Sequence, residues 1–211
     1  MPAGSEQHRD LTAEVERLLA GKGEAMGEGA CDVLRSGPLV AVFGDGAASA
    51  SFRPGSKYVP HPLCLVSWDK PDHDALVAAR SAYERDKAMA RVQKKPFDRA
   101  QPPSDHFEAS LTILKQTYRS AAEAVADLES SVAQLEAGIT VTVSGKEHTT
   151  QLDFDDLSNE VGDRCAWAPK HRELLVAWGG VRFTVSVRGF DDPAQDRAHA
   201  VELARAIGAA L

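Results

Sequence analysis

No apolar run in this sequence approaches the ~20 residues that a bilayer-spanning helix requires, so no transmembrane segment is expected. Positive charge is in deficit: 24 Lys and Arg stand against 31 Asp and Glu, a formal net charge of -7. That balance argues against a nucleic-acid partner, because phosphate recognition needs a basic face that releases counterions. The opening "MPAGSEQHRD" has neither the basic start nor the apolar middle of a signal peptide, so no signal segment is expected in the chain as it stands. Catalytic motifs are missing as well. The chain has no G-x-S-x-G, no Walker loop, no paired-carboxylate pattern, and no H-x-x-x-H or H-E-x-x-H spacing among its seven histidines. Neither an enzymatic activity nor a cofactor or metal is therefore expected.

Cysteine is scarce. Cys31, Cys64 and Cys165 allow one bridge with a thiol left over, or three free thiols, and no C-x-x-C or zinc-knuckle spacing chooses between them. What the 211 residues do have is 43% hydrophobic content, enough for a folded core. Residues 1–29 read as a short amphipathic helix, with Leu11, Val15, Leu18 and Leu19 on one face, followed by the flexible linker "GKGEAMGEG". Residues 30–211 read as a single domain. A helical turn from Cys31 breaks at Gly37-Pro38, and a second short helix ends at Gly44.

"SASFRP" and "PLCLVSW" read as strands, and "FEASLTILK" puts Phe107, Ala109, Leu111 and Ile113 on one face by strict alternation. Between them, residues 72–94 lack Gly and Pro and carry a thin apolar stripe among charges, which predicts a long surface helix. Ser120 and Glu123 form a capping box ahead of Val125, Leu128, Val132 and Leu135, and Gly138 stops that helix. "ITVTVSGKEHTTQLDF" predicts a hairpin turning near Gly145-Lys146. "CAWAP" is a further strand, and "ELLVAW" and "RFTVSVRGF" face each other across Gly179-Gly180. Asp192-Pro193 opens a last helix that buries Val201, Ala204, Ile207 and Leu211. The expected class is α+β, a mainly antiparallel sheet with helices packed on one face.

Four groups invite a chemical reading. Asp72-His73-Asp74, with His61 and His106, offers oxygen and imidazole ligands, but adjacent helical residues point apart and acidic residues at a helix start favour capping. Cys165, with His148 or His171 as base, offers a nucleophile, but its strand setting favours a buried structural thiol. "FGDGAAS" lacks the third glycine and following helix of a phosphate cradle and reads as turn chemistry. Trp68, Trp167 and Trp178, all on strands, could line a ligand pocket, although core packing is the commoner role.

The ordered set Cys31-Asp-Val-Leu34, Cys64-Leu-Val-Ser-Trp68-Asp-Lys-Pro71, Val161-Gly-Asp163-Arg-Cys-Ala-Trp167 and Phe183-Thr-Val-Ser-Val187 resembles a broad group of small bacterial envelope proteins. Many of these are lipoproteins of unknown function. The resemblance runs from Cys31 to the C-terminus and implies an extracytoplasmic protein in which Cys31 and Cys64 form a disulfide. A cytoplasmic protein with three free thiols is the alternative. The leading expectation is a non-enzymatic envelope module that binds another protein through the 72–95 helix, with Leu76, Tyr83 and Met89 as contact residues. The competing expectation is a small-molecule or lipid-binding or enzymatic domain built on the tryptophan pocket.

Overall fold

A computed structural model of the chain describes residues 26–55, 61–114, 116, 118–143, 146–156 and 160–211. The expected helix over Leu11–Leu19 lies outside the described residues. Helix α1, Met26–Arg35, begins inside the stretch read as linker, so Gly27 and Gly29 are helical. Glycine costs helix stability, and α1 holds because Ala30, Cys31 and Leu34 are fully buried against the sheet. Helix α2, Pro38–Phe43, follows after the break at Gly37, and a 3-10 segment, Gly44–Ser49, carries the "FGDGAAS" turn.

The strands run β1 Ser51–Pro54, β2 Leu63–Asp69, β3 His106–Ile113, β4 Ile139–Val143, β5 Lys146–Thr150, β6 Asp155–Asp156, β7 Arg164–Ala168, β8 Glu173–Trp178 and β9 Val181–Arg188. Seven of them form one antiparallel sheet in the order β1-β2-β3-β9-β8-β7-β6, while β4 and β5 make the expected hairpin as a separate two-stranded sheet. The two-residue β6 gave no sequence signal, being a pair of aspartates bonded to Trp167 and Ala166. Gly179 and Gly180, both at positive φ, close the β8–β9 turn.

Helix α3, His73–Val92, lies between β2 and β3, α4, Ala121–Ala137, between β3 and β4, and α5, Pro193–Ala210, ends the fold. Capping follows the sequence in two of the three. Ser120 accepts a hydrogen bond from the Glu123 amide at 3.2 Å, and Asp192 accepts from the Ala194 amide at 2.9 Å. The Glu123 carboxylate reaches back to the Arg119 amide at 2.8 Å.

Register assigns the faces. One row of inward side chains crosses five strands as Cys64, Leu111, Val185, Leu174 and Trp167. This face forms the main core with α1, α2 and α5, where Ala200, Leu203, Ala204 and Ile207 are fully buried. Gly208 is part of that packing, since a Cβ there would lie 2.2 Å from the Trp178 ring. The α+β class holds, but the expectation that the helices share one face is corrected by α4. Its Ala124 and Leu128 pack on Leu175 and Ala177, which alternate with Leu174 and Val176 and so point to the opposite side. There Asp127 receives the buried Arg182 guanidinium and, at 2.5 Å, the Tyr118 hydroxyl. Burial, and then that hydrogen bond, push the Tyr118 phenol up to about 12.

Cys31 and Cys64 are disulfide-bonded across 33 residues, tying α1 to β2, and Cys165 is a buried cysteine outside the disulfide. Replacing both bridged cysteines by alanine should lower the unfolding free energy by about 3 to 4 kcal/mol, the chain-entropy value for a loop of this size. The shift in denaturant midpoint measures it. Asp127→Ala should cost on the order of 2 kcal/mol in the same assay, less than the ~3–5 of a fully buried pair because Asp127 is itself partly exposed. Arg182→Met in that background should recover part of the loss by removing the unpaired charge.

Candidate functional site

The three tryptophans do not converge. Trp68 on β2 and Trp167 on β7 are four strand spacings apart, roughly 19 Å at ~4.8 Å per step. Both are at least 95% buried in the main core, and Trp178 packs at its edge over α5. The expected tryptophan-lined pocket is therefore corrected: each indole plugs a different part of the core. A hollow of about 640 Å³ does lie over the sheet, on the polar face of the β1, β2, β3 and β9 strands. Arg53, Ser67, Glu108, Ser110 and Arg188 are among its lining residues, and no tryptophan is.

Cys165 is a core residue. Burial raises its thiol pKa, the reverse of the activation a nucleophile needs. Among the described residues no group of three or more His, Cys, Asp or Glu side chains could hold a metal ion.

Chemistry-bearing side chains do gather at one end of the sheet, where "WDKPDHD" leaves β2. Trp68 belongs there to a closed circuit of five rings. Its neighbours Phe43 and Phe107 lie 4.7 and 5.7 Å away, Phe107 meets Phe190 at 4.6 Å, and His199 stacks on Phe190 at 4.3 Å and on Phe43 at 5.4 Å. These rings come from α2, β2, β3, α5 and the segment following β9. One end of the core is thus closed by contacts that no local sequence pattern announces. Lys70 continues the inward alternation of Cys64, Val66 and Trp68 one residue past the strand and lays its ammonium 5.2 Å from the Phe107 centroid. That i, i+2 pattern was the available signal for it.

Asp105 is the second feature of this end. Its carbonyl accepts from the Lys70 amide at 3.2 Å and from His73 Nδ1 at 3.1 Å. Its carboxylate takes Arg80 at 2.9 Å, while His106 lies 3.3 Å away and also reaches Glu108 at 3.1 Å. Two of the histidines singled out in the sequence, His73 and His106, are therefore brought together about the Asp105 carboxylate. Asp72 and Asp74 do stand at the helix start, as read, with Asp74 in the first turn, but the cap of Asp72 is positional only. Asp72 holds the N-cap position but makes no side-chain cap bond, because φ -105° and ψ 24° are not the extended backbone that Ser120 adopts at its cap.

Of the contact residues expected on α3, Met89 is 53% exposed and Leu76 is half-buried at the helix root. Tyr83 is corrected: it is 7% exposed, turned onto Phe97 of the returning segment at 5.2 Å. Arg80–Asp105 and Arg99–Asp86, both at 2.9 Å, hold that segment along the helix. No helix among the described residues is long and apolar enough to cross a membrane. Comparison of the chain with family models, curated proteins and solved structures finds no match.

The Asp105 carbonyl raises the His73 pKa above its usual 6.5; burial, the next largest effect, opposes it, and the Asp69, Asp105 and Asp74 carboxylates add to the rise. A raised histidine stabilises its contact fully below 6.5 and loses that contribution as pH climbs through the raised value. Asp105 has the opposite sign. Its own backbone amide, then Arg80, His106 and His73, lower its pKa, so its contribution is complete above 3.8 and fades as pH falls through the lowered value. The first turns of α3 should therefore show their highest hydrogen-exchange protection between 3.8 and 6.5. Protection factors should drop as pH rises past the His73 transition, and His73→Asn should abolish that drop.

Proposed function

We propose that this protein is a non-enzymatic binding module of an oxidising, extracytoplasmic compartment, and that α3 with its returning segment is the arm through which it meets a partner protein. One observation carries the reading: a 20-residue helix contributes no residue to either buried cluster of the fold. Ordering that many residues costs conformational entropy that core burial does not offset here. The arm is kept in place by its own contacts, the Tyr83–Phe97 ring pair and the Arg80–Asp105 and Arg99–Asp86 ion pairs. Val77, Met89 and Val92 stay exposed along it, at 39%, 53% and 79%. Single exposed apolar residues are ordinary, but several on a helix that the core does not use favour an interaction surface.

The Cys31–Cys64 bridge supports the compartment, since disulfides persist where thiols are not kept reduced. The resemblance to bacterial envelope proteins points the same way. A photo-reactive benzoylphenylalanine at Met89 should capture a discrete partner in the source cells, while the same group at Glu202 on α5 should not. Capture from neither position, or equally from both, would remove the arm from the proposal.

A further inference from the structure

Four polar or charged side chains are buried among the described residues: Lys70, Arg182, Ser186 and Asp196. Three make close hydrogen bonds, although Arg182 Nε itself has no partner among the described residues. Arg182 donates to Asp127 and Ser131, Ser186 shares a 2.7 Å bond with Ser110, and Asp196 takes Arg172 at 2.6 Å and the Phe190 amide at 3.2 Å. Lys70 differs. Its side chain is 8% exposed, and its ammonium is engaged only loosely, 3.9 Å from an Asp191 carboxylate oxygen and 5.2 Å from the Phe107 ring centroid, with no hydrogen bond to a described residue. An ammonium has three donors, and these contacts leave room for an incoming acceptor.

Lys70 lines a pocket of about 220 Å³ at the ring-closed end of the sheet. The pocket is smaller than the ~300–1,000 Å³ typical for drug-sized ligands, so it suits a metabolite of amino-acid size rather than a nucleotide. Pro71, Leu76, Phe107 and Phe190 give it apolar walls, and Asp72 and Asp191 border it with carboxylates. Gly189 admits a close backbone approach at φ 114°, where a Cβ would lie 2.8 Å from the His106 carbonyl.

One inward cation and two bordering carboxylates disfavour a simple anion, which the aspartates would repel, and a simple cation, which Lys70 would repel. A zwitterion with an apolar body satisfies all three. We propose that this pocket binds a free α-amino acid with an apolar side chain, its carboxylate on Lys70, its ammonium towards Asp72 and Asp191, and its side chain against Pro71, Leu76 and Phe190. Asp191, 87% exposed and only loosely engaged, can turn to the ligand's ammonium without breaking a buried bond. This site does not depend on the outer arm meeting a partner.

The test is an amide NMR titration of the intact chain with L-leucine and L-phenylalanine, beside L-leucinamide, which lacks the carboxylate, and 4-methylpentanoate, which lacks the ammonium. Saturable shifts at Lys70, Gly189 and Phe190 are expected with one or both amino acids, in the micromolar to millimolar range set by so few ligand atoms. Each analogue should bind at least about tenfold more weakly. Lys70→Met, which keeps the stem and removes the charge, should lose the same factor, and Asp191→Asn on the exposed rim should weaken binding even if the lysine variant folds poorly. No saturable shift up to about 10 mM overturns the proposal. So does equal affinity for either analogue, or undiminished binding by both variants.

Discussion

The pairing of β3 with β9 is the seam on which the fold depends. Strands β1 to β3 lie side by side in chain order and β6 to β9 in reverse order, so the two groups meet only along this edge. The seam joins Ile113 to Phe183, Leu111 to Val185 and Ala109 to Val187, residues separated by 70 to 78 positions in the chain. A slip of one residue would turn each of these side chains to the other face, removing the surface on which α5 packs. β9 tolerates no such slip, because it is occupied on both sides: Phe183 and Val185 enter the main core while Arg182 is committed to Asp127 of α4.

Local order is secured from this seam outward. Helix α1 contains Gly27 and Gly29 and would be a poor helix alone, but its cysteine is bonded to Cys64, which sits in the same inward row as Leu111 and Val185. Buried charge is placed by the same geometry. Asp196 in the first turn of α5 neutralises Arg172, a residue at φ 55° in the β7–β8 turn, and so fixes the turn against the helix. The helix start favours that carboxylate independently.

Much of this was legible. Alternation in Phe107, Ala109, Leu111 and Ile113 gave β3 and its buried face, Ser120 and Asp192 gave two helix starts, and Gly179-Gly180 gave the last hairpin, because each is a short-range effect with a short-range signature. The Cys31–Cys64 bond came from resemblance, since spacing alone left it open. What could not be read was which side of the sheet a helix would take. The stripe on α4 says that Leu128 is buried, but Leu175 and Leu174 are equally apolar neighbours on opposite faces, and only the strand order decides between them. The tryptophan pocket failed for the same reason. Three indoles on strands look alike until the β2 and β7 positions are known to lie at different places in the sheet.

The stretch from Trp68 to Asp74 shows how a strand-to-helix junction acquires chemistry. Alternation carries one step beyond β2, so Lys70 keeps the inward direction of Trp68 while Asp69, facing the other way, approaches His73 at 3.3 Å. A lysine at that place can be buried in part because its ammonium lies over the Phe107 ring face. One carbonyl, that of Asp105, then receives both the Lys70 amide and the His73 ring, which locks the last inward residue of the strand to the first residue of the helix. Prolines and aspartates in such a junction look like punctuation when read singly. The consequence of their geometry is that a cation is carried inward and the root of a long helix is pinned by the same two hydrogen bonds.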